Sequence, residues 1–366
     1  MSLQRDLFLR CLDLPDTAAR RSFLAQACGG DARLEADVRR LVALHERAGS
    51  FLEEPAAEAL ASRLAPQGWA DDGTVRVAMA VASAPPPGAA LVAGDLGSLG
   101  RVRLRRELPP SAFGPVWSGE SPDAGAVTVR ALDARLAALP AARGRFLLLA
   151  RLLATVRHAA LPVIVAVEER PWPFVVAAAI DGERLGDRLR RGLPFTPAET
   201  ARAGAAVAGG LAAAHAAGLA HRALSPANVW IPAGEPESAC LFDVGLARAL
   251  DEDHATVDPA RHACAYLAPE QVLGGRIDPL DHRPDLFALG CVLAAMATGR
   301  SPLESVTPEA TLRRVAEAAV VPGALESLPE SLRGVVESLL EADPGRRPSS
   351  ADDVARRLAA LAAAQG

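Results

Sequence analysis

The stretch His221–Trp230 reads "HRALSPANVW", and the interpretation of the whole chain depends on it. A histidine and an arginine open the stretch, and Asn228 stands just before a short apolar run that suits a strand. The residue after the arginine is Ala223, whose side chain has no charge and cannot accept a proton. Whether this spacing has a meaning depends on the segments around it.

Four further segments follow in order along the chain. They are "LFDVGLAR" (Leu241–Arg248), "AYLAPEQ" (Ala265–Gln271), "DHRPDLFALGCVLAAMATGRSPL" from residue 281, and "DPGRRPSSADDVARRL" from residue 343. With the first stretch they resemble, in order and spacing, the domain of bacterial Ser/Thr protein kinases. The resemblance covers residues 97–366.

The resemblance implies an α+β, two-lobed protein-kinase-like fold. The small lobe, about residues 97–180, should be an antiparallel sheet, and the large lobe, about residues 181–366, should be helical. The order of the patterns agrees, because strand-like runs come first after residue 97 and helical runs follow. We expect five strands in the small lobe.

The residues that stabilise the large lobe of such kinases are all present. The resemblance assigns His221 and Arg222 to the catalytic loop and Asp285 to the buried aspartate of the central helix. It also pairs Glu270 with Arg347. We therefore expect an intact large lobe.

The residues that perform the chemistry are replaced. Ala223 stands at the position of the catalytic base and Ser225 at that of the lysine after it. Arg130 takes the place of the strand lysine and Leu149 that of its helix glutamate, and residues 134–167 contain no Asp or Glu. Since a general base alone contributes roughly 10²- to 10⁴-fold in rate, the resemblance is to a catalytically degraded pseudokinase.

The phosphate-binding loop is also altered. It corresponds to "LPPSAFGPVW" (Leu108–Trp117), in which Pro109 and Ser111 replace the first two glycines and Gly114 remains. Such loops present backbone N–H groups to phosphate oxygens, and proline has no N–H. We expect this loop to hold a triphosphate poorly.

The remaining positions of the nucleotide cleft are vestigial. Besides Gly114 and Arg130 they comprise the hinge alanines, Ala178 and Ala179, which follow Ala177 at the gatekeeper position. Small apolar residues here predict a collapsed or apolar cleft. The alternative is an open apolar pocket for a different ligand.

Two metal ligands of the family survive, Asn228 and Asp243. Both residues can also serve as structural hydrogen-bonding groups, and we expect that no cofactor is required. The alternative is an atypical Ser/Thr kinase or nucleotidyl transferase that still binds Mg–ATP through these two side chains.

Composition excludes several classes of function. The net charge of −5 gives no basic field for nucleic acid, and no charge-free apolar run reaches the length of a membrane span. The five cysteines form no C-x-x-C pair, which indicates a reducing compartment, and we expect a cytoplasmic protein. All 39 basic residues are arginine, so any mechanism that needs a lysine amine is excluded.

The segment before residue 97 divides into two parts. Residues 1–60 show apolar stripes at helical spacing, one of them at Phe23, Leu24, Ala27 and Cys28, and resemble a helical module found upstream of many bacterial Ser/Thr kinase domains. Residues 61–96 form a linker rich in Pro, Gly and Ala.

The helix that carries Leu149 reads "GRFLLLARLLATVRH" and is apolar on more than one face. Such a helix needs cover on more than one side, either from residues 2–96 or from a second protein. The sequence therefore predicts a protein-interaction or regulatory scaffold in bacterial Ser/Thr kinase signalling. Its partner would be a protein, an active kinase being one candidate.

Overall fold

The computed structural model describes residues 23, 24, 27, 28, 97–111, 113–170, 172–232, 234–246, 264–273 and 281–364. Phe23 and Leu24 are helical, and the Cys28 N–H donates to the carbonyl of Leu24 at 3.0 Å. Leu24 and Cys28 are buried, so one face of this helical turn is covered. The rest of the module expected at residues 1–60, and the linker expected at 61–96, lie outside the described residues.

The small lobe is built on a six-stranded antiparallel sheet in the order β1-β2-β3-β4-β6-β5. Its strands are β1 (Ser98–Leu99), β2 (Val102–Ser111), β3 (Gly114–Ser121), β4 (Gly125–Ala131), β5 (Ile164–Glu168) and β6 (Phe174–Ala178).

The expectation of five strands was wrong by one short edge strand, β1. Gly100, at a φ of +58°, allows the tight turn that brings Leu99 opposite Val102. Leu99 is buried and joins the apolar cluster on that face of the sheet, which stabilises the additional pairing.

Two helices, α1 (Ala134–Ala137) and α2 (Pro140–Leu153), connect β4 to β5. Helix α2 buries a single broad arc that contains Phe146, Leu147, Leu149 and Leu153. Leu148 lies on the opposite side and is 65% exposed. The cover expected on this side, from residues 2–96 or from a second protein, stays a prediction, because nearly all of residues 2–96 lie outside the described ranges.

The large lobe is mostly helical. Its helices are α3 (Leu185–Arg190), α4 (Pro197–Ala216), α5 (Pro269–Val272), α6 (Arg283–Thr298), α7 (Pro308–Glu317), α8 (Glu330–Leu339) and α9 (Ala351–Ala364). Helix α4 begins with a capping box in which Thr196 and Glu199 each satisfy the other's backbone N–H. Helix α6 is buried on nearly every side from Pro284 to Met296 and forms the centre of the lobe.

A second, three-stranded antiparallel sheet positions the candidate site. It consists of β7 (Glu183–Arg184), β8 (Val229–Ile231) and β9 (Cys240–Leu241), in the order β7-β8-β9. Asn228 comes directly before β8, and Phe242 and Asp243 follow β9. Antiparallel pairing of β8 with β9 places these ends next to each other.

Two apolar clusters form the core of the described part of the chain. One lies against the outer side of the sheet and contains Trp117, Val129 and Phe174. The larger one includes Phe113 and Phe146 of the small lobe together with most of the large-lobe interior. Within the described ranges, no helix has both the length and the apolar character that a bilayer span requires.

Candidate functional site

The loop that opens with His221 is fixed by Asp285 of α6. The Asp285 carboxylate accepts from the backbone N–H of His221 at 2.7 Å and from that of Arg222 at 2.6 Å. The oxygen that accepts from His221, Oδ2, also lies 2.8 Å from Nε2 of His215. Burial by itself raises the pKa of Asp285, but these partners outweigh burial and hold the pKa below its ordinary value. The carboxylate is therefore a charged anchor inside the large lobe.

His221 is fully buried and neutral. Its Nε2 lies 3.0 Å from the carbonyl of Phe242, to which it donates, and Nδ1 accepts weakly from the N–H of Ala223 at 3.4 Å. Burial is the main cause that lowers the pKa of His221, and it outweighs the attraction of Asp285. The imidazole thus links the loop to the strand end that carries Asp243.

The pair expected between Glu270 and Arg347 is present. Each terminal nitrogen of the Arg347 guanidinium donates to one oxygen of the Glu270 carboxylate, at 2.6 and 2.8 Å. Arg347 also donates to the carbonyls of Arg283 and Glu341 and lies over the ring of Phe287. This bidentate geometry connects α5 to the segment before α9.

The two surviving metal ligands form part of a buried polar chain. Ser225 Oγ donates to Asn228 Oδ1 at 3.0 Å, and Asn228 Nδ2 donates to Asp243 Oδ2 at 3.1 Å. Asp243 has a left-handed φ of +67°, which turns its carboxylate towards the small lobe.

Arg130 of β4 completes this chain from the other lobe. Its Nε lies 2.6 Å from Asp243 Oδ1, and its NH1 donates to Thr128 Oγ1 at 3.0 Å. The N–H of Nε is not aligned with Oδ1, so charge rather than a linear hydrogen bond holds the contact. The guanidinium also lies 4.3 Å above the ring of Phe242.

This arrangement does not fit a divalent cation. Mg²⁺ requires free oxygen ligands in near-octahedral geometry, whereas the guanidinium of Arg130 stands against one oxygen of Asp243. The other oxygen accepts from Asn228, whose own amide oxygen accepts from Ser225. An internal cation occupies the place where the family resemblance puts a metal.

The helix position expected to hold a glutamate contains Leu149, which is buried in the larger core cluster. Arg130 therefore has no carboxylate partner on α2, and its partner is Asp243. The catalytic-base position, Ala223, contributes only a methyl group.

The tip of the β2–β3 hairpin packs inward. Phe113 is 1% exposed, its ring centroid lies 5.8 Å from that of Phe146 on α2, and its carbonyl accepts from the N–H of Asp133 at 2.7 Å. Gly114 lies so close to β4 that an added Cβ would be 2.1 Å from the carbonyl oxygen of Ala131. The glycine thus permits the hairpin tip to pack against the strand.

The gatekeeper and hinge alanines lie at the end of β6, at the edge of the cleft. Ala177 is buried, Ala178 is half-buried and Ala179 is exposed. The Ala178 N–H donates to the carbonyl of Val163 and the Ala179 N–H to that of Ala126, at 2.9 and 3.0 Å. Both donors are used within the small lobe.

Sequence reasoning missed two cleft residues, Arg184 and Trp230. Arg184, at the end of β7, donates to the carbonyl of Pro109 at 3.1 Å and lies 5.7 Å above the ring of Trp230. Trp230 in turn packs edge-on against Phe242. The available signals were weak: an aromatic residue two positions after Asn228, and one arginine in a segment rich in charge.

Comparison with known proteins gives a consistent result. A family model described as "Protein kinase domain" matches residues 150–358. The serine/threonine-protein kinase pkn2 of Myxococcus xanthus is 35% identical, over 71% of this chain and 32% of that protein. The probable serine/threonine-protein kinase PkwA of Thermomonospora curvata is 33% identical, over 72% of this chain and 34% of that protein.

The chain thus spans about a third of the length of these relatives. Among solved structures, the kinase domain of PknI from Mycobacterium tuberculosis superposes with a TM-score of 0.55 at 24% identity, over 74% of this chain and 99% of that domain. This likeness supports the two-lobed fold.

Proposed function

Since the chain belongs to the protein kinase family, we propose that it is a pseudokinase that acts as a protein-interaction or regulatory scaffold in bacterial Ser/Thr kinase signalling. The relatives are named as kinases, so the support for inactivity comes from the site. There the large-lobe anchors are complete, whereas the groups that perform phosphoryl transfer are replaced.

The observation that carries this proposal is the ion pair between Arg130 and Asp243. Phosphoryl transfer depends on metal ions that bridge the phosphates and neutralise the developing charge. Here the carboxylate that would hold such an ion already has a buried cationic partner. Removing one member of a buried pair costs about 3–5 kcal/mol, and a metal that displaced Arg130 would have to offset a cost of this kind.

Two further losses act in the same direction. No base stands at Ala223, and the hairpin offers the carbonyl of Pro109 where phosphates need N–H donors. The base alone contributes about 10²- to 10⁴-fold, so a turnover of about 1–100 s⁻¹ would fall to about 10⁻⁴–1 s⁻¹ before the other losses are counted.

The partner we propose is a protein of the same signalling system, and an active Ser/Thr kinase suits it best. The support is that the fold is kept without its chemistry: the Asp285 anchor and the Glu270–Arg347 pair stabilise a large lobe that has no substrate to turn over. A kinase fold whose catalytic positions are replaced suits a binding platform, because a fold can be kept for a function other than its original chemistry.

A second candidate function is an atypical kinase or nucleotidyl transferase that binds Mg–ATP through Asn228 and Asp243. The specific observation in its favour is that these two side chains remain adjacent, at 3.1 Å. It requires Arg130 to leave Asp243 when nucleotide binds.

One experiment separates the two candidates. The intact protein is incubated with Mg–ATP labelled at the γ-phosphate, with itself and a generic basic protein as acceptors, and its melting temperature is measured with Mg–ATP and with EDTA. We expect no melting shift and no label above that of Asp243→Asn. Magnesium-dependent label that disappears in Asp243→Asn, or in Asn228→Ala if the first variant does not fold, would establish the second candidate.

The scaffold role has its own test. The Ser/Thr kinases of the same organism are expressed singly, and their autophosphorylation rates are measured with and without this protein. We expect one of them to bind it and to change its rate. If none binds, the proposed partner is wrong, whatever the outcome of the nucleotide experiment.

A further inference from the structure

The cleft between the lobes contains a second cation, Arg184, which has no carboxylate in direct contact among the described residues. In the described part of the chain its contacts are the carbonyl of Pro109 at 3.1 Å and the ring of Trp230 at 5.7 Å, and neither is a carboxylate. Burial lowers the pKa of Arg184, and the charge of Arg130 lowers it further. Two guanidiniums thus share one partly desolvated region.

The carboxylates near Arg184 are committed to other cations. Asp243 pairs with Arg130. Asp187, one turn along α3, pairs with Arg190 at the surface. A partly desolvated cation whose nearby carboxylates pair with other cations is unfavourable, so this region is electrostatically suited to an incoming anion.

The surroundings also favour an anion over other ligands. Arg184 is held in place by the indole of Trp230 and by one backbone acceptor, which an anion can replace. The Nε1 of Trp230 is a buried donor with no partner among the described residues. It belongs to the ring that packs edge-on against Phe242. Arginine is the side chain that binds phosphate oxygens bidentately.

We propose that this cleft binds a phosphate-class anion without a divalent metal, with Arg184 as the main ligand and Arg130 as supporting charge. The inference rests on the proposed function, because it requires Asp243 to be occupied by Arg130 rather than by Mg²⁺. A phosphate that carries a bound metal is disfavoured for two reasons. The metal already neutralises part of the negative charge of the phosphate, and Asp243, paired with Arg130, is not free to bind the metal.

The test is calorimetric titration of the full chain with sodium pyrophosphate in EDTA. We expect binding that weakens about 10- to 100-fold in Arg184→Gln, the range for loss of a charged hydrogen bond. Arg356→Gln on α9 is the matched control, since it removes the same charge from an exposed side chain that pairs with Asp352, and it should bind like the wild type. If Arg184→Gln does not fold, Arg184→Lys keeps the charge without the planar fork and should bind more weakly than the wild type.

Parallel titrations with ATP in EDTA identify the source of the phosphate. Tighter binding of ATP than of pyrophosphate indicates a nucleotide, with the aromatic pair contacting the base, and equal binding indicates that the phosphates alone are recognised. Added Mg²⁺ should weaken binding by removing free anion.

Three results would overturn the inference. No heat with either anion in EDTA would remove it and leave the proposed pseudokinase function intact. Binding that appears only with Mg²⁺ would remove both. Binding in EDTA that is unaffected in both Arg184 variants would place the anion elsewhere.

Discussion

At the residue scale, the cleft shows how one substitution makes others tolerable. An arginine at position 130 reaches Asp243, Thr128 and the ring of Phe242 together, which a compact ammonium could not do. Because Asp243 neutralises this guanidinium, no glutamate is needed on α2, and Leu149 can be buried there instead. The network is a consistent alternative to a metal site.

Also at this scale, His221 should make stability depend on pH. The pKa of His221 in the folded chain lies below the unfolded value of about 6.5. Below about pH 6.5, the unfolded chain therefore binds a proton at this histidine that the folded chain does not bind. The free energy of unfolding should therefore fall as pH falls, by up to about 1.4 kcal/mol per pH unit, until the folded pKa is reached.

Urea unfolding between pH 7.5 and 5.0 measures this slope. His221→Phe should flatten it, whatever its effect on absolute stability. Equal slopes in the wild type and His221→Phe would show that another group is responsible.

At the element scale, two neighbouring leucines of α2 differ only in how far their side chains are buried. Leu149 faces the core and is 6% exposed, whereas Leu148 is 65% exposed. Leu149→Ala should cost about 2–5 kcal/mol, since it removes buried atoms and leaves a cavity. Leu148→Ala should stay within about 0.5 kcal/mol.

Urea unfolding of the intact chain checks both values, and the second leucine is the control for the first. A cost at Leu148 as large as that at Leu149 would mean that the outer face of α2 is covered in solution. That result would confirm the sequence-based expectation of cover on that side.

The elements also show what could be predicted from sequence and what could not. The Asp285 anchor and the Glu270–Arg347 pair were predictable, because each residue lies in a motif whose spacing fixes its place in the large lobe. Arg130 against Asp243, and Arg184 against Pro109, depend on how closely the two lobes approach. No local pattern encodes that distance.

The strand count failed for a related reason. A two-residue strand such as β1 has no period to detect, and its pairing depends on a glycine turn and one buried leucine. An apolar run such as that of α2 shows which residues could be buried, but the width of the packing surface decides which of them are.

At the scale of the whole molecule, the larger core cluster crosses the boundary between the lobes. Phe113 and Phe146 from the small lobe belong to the same cluster as Phe287 in the centre of α6. With Arg130 and Asp243 joining the lobes by charge, one face of the sheet shares its interior with the helical lobe, while the smaller cluster covers the other face. This predicts that they unfold as one cooperative unit.

Hydrogen exchange at increasing urea concentration, read by mass spectrometry, tests that cooperativity region by region. Peptides from β4 and from α6 should lose protection at the same urea concentration. Phe113→Ala, which removes the ring packed on Phe146, should lower both midpoints together by the equivalent of about 3–5 kcal/mol. Val306→Ala, at a position that is 99% exposed, should move neither. If β4 lost protection well before α6, the shared cluster would not couple the lobes, and the small lobe could open without disturbing the helical lobe.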